Sequence, residues 1–75
     1  METVVNTKSI GSLIRQQRKL QKLTQEQLAG LTGLGTRFVR ELEAGKESCQ
    51  LGRTLQVMAA LGLRLTVQTR QDTAL

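Results

Sequence analysis

A chain of 75 residues holds one small core at most, and with Cys49 as its lone cysteine and no histidine a disulfide is excluded and a zinc site nearly so, which leaves self-association as the route to added stability. Eleven Lys+Arg against six Asp+Glu give a formal charge of +5, which favours nucleic acid or an anionic membrane surface, while a single Phe argues against reading single strands by ring stacking. No apolar run approaches the ~20 residues of a membrane span and no signal peptide is evident, so a soluble chain in the reducing cytoplasm is expected.

Residues 1–8 are polar and uneven and read as a flexible arm. Ser9 is the expected N-cap of a first helix, in which Ile10, Leu13, Ile14, Gln17 and Leu20 fall on one face. Arg15, Arg18, Lys19 and Lys22 recur on the opposite face, giving a buried side and a cationic side. Thr24 opens a second helix over Gln25 to Thr32, with Gln27 placed to complete a capping box and Leu28 and Leu31 turned inward. Gly33-Leu34-Gly35 breaks the pattern, and a third helix runs from Thr36 to Ala44 with Phe38, Val39 and Leu42 apolar, stopped by Gly45. After a polar loop, Leu51, Leu55, Met58 and Ala59 mark a fourth helix that starts near Ser48 or Cys49 and ends at Gly62. Leu63, Leu65 and Val67 then alternate with Arg64, Thr66 and Gln68 in the period of a half-buried strand, and 71–75 reads as a disordered tail. The domain plan is an arm over 1–8, a helical unit over 9–62, a strand over 63–70 and a tail over 71–75.

The block from Gln25 to Leu42 is the informative one. Two helices crossing steeply through a short turn need a small residue where one passes over the other, met by Ala29, and a glycine where the chain reverses, met by Gly33. Leu28, Leu34, Val39 and Leu42 fill the wedge between them. Six matches at fixed offsets in one short window make a specific signal for a helix-turn-helix.

With T-Q-E-Q-L-A, the turn glycine and V-R-E-L-E-A-G-K in place, the chain resembles the phage-repressor-like (Xre/Cro-type) helix-turn-helix family over Ile10 to Leu61. The resemblance implies a mainly α fold, a bundle of four to five helices, with Thr36 to Ala44 as recognition helix. It also implies a phosphate-holding role for Gln25 and a partly buried ion pair between Arg18 and Glu43. Two residues depart from the family pattern: Thr32 stands where an aliphatic residue is usual, and Gly35 where a Ser or Thr often caps the recognition helix. In layout, with the ending A-L-G-L-R-L-T-V, the chain looks most like the HipB-type antitoxins, whose C-terminal strand pairs with its copy in a second subunit and whose partner is a HipA-like protein kinase toxin.

Residues at the start of a recognition helix face base edges in the major groove, and here Thr36, Arg37, Arg40 and Glu41 occupy that exposed face. Arg37 and Arg40 have the forked guanidinium that matches guanine O6 and N7, and Thr36 suits a thymine methyl or a phosphate. Thr24 and Gln25 sit at a helix N-terminus, whose free N–H groups attract an anion, and Arg18, Lys22 and Lys46 are the further candidates for phosphate. The simple alternatives are N-capping for Thr24, pairing with Glu43 for Arg18 and plain solvation for the lysines. Arg15 and Lys19 read as solubility residues. Glu26 satisfies the first-turn preference for anions, Cys49 lacks a neighbouring base, and without His or a glycine-rich phosphate loop no catalytic constellation, metal or cofactor is expected. A lone strand at Leu63, Leu65 and Val67 leaves its backbone unpaired, and pairing with a second copy is favoured over pairing with Thr3 to Asn6. The reading is a homodimeric repressor of double-stranded operator DNA, the antitoxin of a HipBA-like pair; the alternatives are a stand-alone regulator and a protein-interaction module using the fold as scaffold.

Overall fold

The computed structural model describes residues 6–67 and 69, and among them four helices form: α1 (Thr7–Leu20), α2 (Gln25–Thr32), α3 (Thr36–Glu43) and α4 (Leu51–Ala60). α2 packs on α3 and α4, and α1 packs on α3. Ile14 from α1, Leu28 and Ala29 from α2, Val39 and Leu42 from α3, and Val57, Met58 and Leu61 from α4 and its end make one buried core. Ala29 is buried where α2 meets α3, as the small residue at a crossing must be.

The helices stop by one device. Lys22, Gly33, Gly45 and Gly62 each take a left-handed conformation just beyond a helix, with φ of 61°, 72°, 85° and 78°. The following N–H groups of Leu23, Leu34, Lys46 and Leu63 return to carbonyls of Arg18, Ala29, Glu41 and Met58, which satisfies acceptors the helix would otherwise leave bare. Leu23, Leu34 and Leu63 then fold back against the core, so three of the four turns are locked by an apolar contact. Gly33 is where glycine is needed most, since it sets the angle between α2 and α3.

Helix starts are less uniform. Thr24 and Gln27 form the expected capping box: Thr24 Oγ1 accepts from Gln27 N–H at 3.0 Å, and Gln27 Oε1 accepts from Thr24 N–H at 2.8 Å. Gly35 at the N-cap of α3 supplies no side-chain bond, and neither does Gln50 at the N-cap of α4, one residue past Cys49. Thr32 satisfies its hydroxyl within its own helix, donating to Leu28 and Ala29 carbonyls at 3.1 and 3.0 Å, which explains how a polar residue stands at an aliphatic position.

The expected first cap and the inward facing of Leu20 and Leu31 need correction. Ser9 is not the first cap; Asn6 is, its Oδ1 accepting from Ser9 N–H at 2.8 Å, so α1 begins at Thr7 and takes Thr7 and Lys8 from the expected arm. Leu20 and Leu31 do not face the core and are 74% and 65% exposed, because no other helix covers those ends of α1 and α2. Among the described residues no strand forms over 63–67: Leu63 is half-buried against the core, while Leu65 and Val67 stand in solvent without a ladder. The remainder of the expected arm, residues 1–5, together with 68 and 70–75, lies outside the described residues.

Candidate nucleic-acid interface

α3 is anchored by Val39 and Leu42 and turns its opposite side outward. Arg37 and Arg40 are exposed there, one turn apart, with Glu41 partly covered between them and the loop and Thr36 half-buried at the helix start. Arg37 Nε donates to Glu41 Oε2 at 3.2 Å, and Lys46 Nζ donates to Glu41 Oε1 at 3.2 Å. Those two hydrogen bonds, from Lys46 first and then Arg37, hold the Glu41 carboxyl below its ordinary range. Glu41 therefore ties the loop lysine to the helix arginine, and the Arg37 side chain, 84% exposed, keeps the rest of its fork free.

The inner edge of this face is fixed by a buried pair. Arg18 Nε donates to Glu43 Oε2 at 2.6 Å and Nη2 donates to Oε1 at 3.0 Å, with the two side chains 9% and 3% exposed. Arg18 Nη1 donates to the Leu23 carbonyl at 2.8 Å, so one guanidinium joins α1, α3 and the corner before α2. Donating to the Glu43 carboxylate raises the Arg18 pKa, outweighing burial, which acts to lower it. Of the two sequence readings of Arg18, a free phosphate ligand or the partner of Glu43, the structure places the second.

Gln25, the first residue of α2, is held by the same carboxylate: its Nε2 donates to Glu43 Oε1 at 3.1 Å. An amide nitrogen carries two protons, so this bond orients the group and leaves its second N–H for another acceptor. Thr24 Oγ1 accepts within the capping box, as the capping alternative anticipated, and its O–H proton is not used there. Lys22 is exposed at the left-handed corner between α1 and α2.

α1 bears closely on the end of α3. A Cβ placed on Gly11 would lie 2.5 Å from the Leu42 carbonyl oxygen and 2.7 Å from that of Glu43. Thr7 Oγ1 also donates to the Gly45 carbonyl at 2.8 Å. Sequence reasoning gave Gly11 no role; its only sequence signal is a glycine on the apolar side of a helix, one turn before Ile14. Cys49 is half-buried near Phe38 and Arg53, and burial pushes its thiol up, away from reactivity. Among the described residues there is no group of side chains suited to a metal and no helix long and apolar enough to cross a membrane.

Comparison with known proteins agrees with this geometry. Residues 14–67 match the family model described as Helix-turn-helix. The uncharacterized HTH-type transcriptional regulator y4mF of Sinorhizobium fredii (strain NBRC 101917 / NGR234) is 48% identical over 58 residues, covering 77% of this chain and 76% of that protein. Among solved structures, a chain of the HipA-HipB-O2-O3 complex superposes with a TM-score of 0.84 at 16% identity, covering 93% of this chain and 99% of that one. A chain of the HipB-O4 20mer complex does so with a TM-score of 0.83 at 16% identity and the same coverage. At that identity the likeness establishes the shared fold, and the family match and the closer relative establish the rest: the chain belongs to the helix-turn-helix family of DNA-binding transcriptional regulators.

Proposed function

We propose that this chain is a homodimeric, sequence-specific repressor that lays α3 in the major groove of its own operator, as the antitoxin of a HipBA-like pair. The observation that carries the reading is the α3 face itself: Val39 and Leu42 lock the helix to the core while Thr36, Arg37 and Glu41 point outward beside the N-terminus of α2. Arg37 reads a base, with Glu41 restricting where its fork can go. Gln25, with its amide pre-oriented by Glu43, and Thr24, Lys22 and Lys46 bear on phosphates. The likeness in fold to HipB chains solved with HipA and with a 20mer supports the antitoxin role and a HipA-like kinase as partner. Co-purification of this chain with such a kinase tests that partner directly.

Binding measured on promoter DNA and on a scrambled duplex, across a salt series, separates base readers from phosphate contacts. Arg37→Ala should lose about 1–3 kcal/mol on the promoter site and little on the scrambled duplex. Gln25→Ala should weaken both alike. Equal losses on both duplexes for Arg37→Ala would remove it as a base reader.

The second copy docks through residues 63–70, with Leu63, Leu65 and Val67 on the paired strand. What supports this is the exposure of Leu65 and Val67 directly after a core-anchored Leu63, since an isolated strand leaves its backbone groups without partners. Sedimentation at micromolar concentration should give a dimer for the native chain and a monomer for Leu65→Lys. Half-sites should lie about 10 bp apart in inverted orientation. A native chain that sediments as a monomer with and without DNA would refute the pairing.

A further inference from the structure

We infer that Arg15 and Arg40 form a two-arginine clamp for a DNA backbone phosphate, in the groove where α1, the start of α2 and the end of α3 meet. The inference rests on the DNA-binding reading and deepens it. The groove is open, with a volume of about 390 Å³, and is lined by Arg15, Arg18, Gln25, Arg40, Glu43 and Ala44. Its charges sort cleanly. Arg18 and Glu43 neutralise each other at the floor, leaving Arg15 and Arg40 at the walls without an ion-pair partner among the described residues.

Among the described residues, the carboxylates are engaged elsewhere or, like Glu26 and Glu47, make no ion pair with Arg15 or Arg40. Glu41 is engaged by Arg37 and Lys46, and Glu43 by Arg18 and Gln25. α1 contains no acidic residue at all. Glu26 acts on Arg18 only through space and makes no ion pair among the described residues. Neither Arg15 nor Arg40 has a carboxylate within ion-pair distance among the described residues. Two guanidinium groups facing one groove repel each other until an anion joins them, and a phosphodiester accepts from such forks bidentately. Gln25 lines the same groove, and the amide proton it does not give to Glu43 supplies a third donor.

Position selects the occupant. The groove adjoins the α2 N-terminus and the side of α3, so a duplex seated on α3 brings one strand's backbone past it. Arg40 is thereby assigned to the backbone rather than to a base, and Arg15 becomes part of the interface instead of a solubility residue.

The test is a salt series of duplex binding for the native chain, Arg15→Gln, Arg40→Gln, the double variant and Lys19→Gln, which removes the same charge from α1 outside the groove. The clamp predicts that the double variant loses about tenfold per bound subunit near 0.1 M salt, with the log–log salt slope shallower by about one, on promoter and scrambled DNA alike. Lys19→Gln should keep a slope near the native one. The clamp is overturned if the double variant keeps the native slope, if Lys19→Gln matches its loss, or if Arg40→Gln weakens promoter binding alone. A native chain that binds neither duplex overturns the DNA-binding reading as well, which separates that failure from failure of the clamp.

Discussion

Glu43→Ala is expected to destabilise the chain by about 3–5 kcal/mol, the usual result of removing one partner from a buried ion pair. The size follows from what is stranded. Arg18 stays charged at any accessible pH, its side chain is 9% exposed, and two of its three hydrogen-bonded groups point at the carboxylate that would be missing. Gln25 loses its acceptor in the same step. For a domain of this size total stability is on the order of 5–10 kcal/mol, so urea denaturation should show a large share of it gone. The thermal midpoint should fall by roughly 15–30 °C. Substituting both members, Arg18→Met with Glu43→Leu, should recover most of the loss, because burying an apolar pair carries no desolvation penalty. Promoter binding should not recover with it, since Gln25 then has no carboxylate to orient its amide. A Glu43→Ala chain within about 1 kcal/mol of native stability would show that the pair is solvated and that α1 and α3 are held together by packing alone.

How much of this could be read from residues alone depended on how local each constraint is. The helix-turn-helix was legible because Ala29, Gly33, Val39 and Leu42 sit within one short window and each answers to the geometry of two adjoining helices. The Thr24 capping box was legible for the same reason. Periodicity then misplaced Leu20 and Leu31, since a helical face says which residues align but not how far the covering helix extends. Asn6 was passed over for Ser9 because both are good caps and the apolar pattern begins after either. The contacts that organise the interface are long-range. Glu43 meets Arg18 and Gln25 only once three helices are assembled, and resemblance to a family, not spacing, pointed to the first of these pairs. Arg15 looked like ordinary surface charge until the groove showed that the acids around it were already engaged. The alternation at Leu63, Leu65 and Val67 is a real sequence pattern, but alternation alone does not supply the neighbour a strand needs, and among the described residues no strand forms there.

Gly11 shows the same limit and carries the second large effect. Gly11→Ala is expected to destabilise by about 3 kcal/mol, the upper part of the range for overpacking a close contact. Helix propensity alone predicts the opposite sign, because alanine in a helix interior is favoured over glycine by about 1 kcal/mol. Space decides between them. The added carbon would sit 2.5 Å from the Leu42 oxygen, 2.7 Å from the Glu43 oxygen and 3.0 Å from the Glu43 carbonyl carbon, all backbone atoms of α3 that no rotamer change can move. α1 must then lift off α3, stretching the Arg18–Glu43 bonds and the Thr7 contact to Gly45 together. Gly30, a glycine inside α2 with nothing within 4 Å of its would-be Cβ, supplies the internal control. There propensity acts unopposed, and Gly30→Ala should stabilise by about 0.5–1 kcal/mol. Thermal unfolding of the two variants should therefore move in opposite directions from the native midpoint. If Gly11→Ala also rises, α1 does not lie against the end of α3 as closely as the structure has it, and the groove holding Arg15 beside Arg40 would lose its floor.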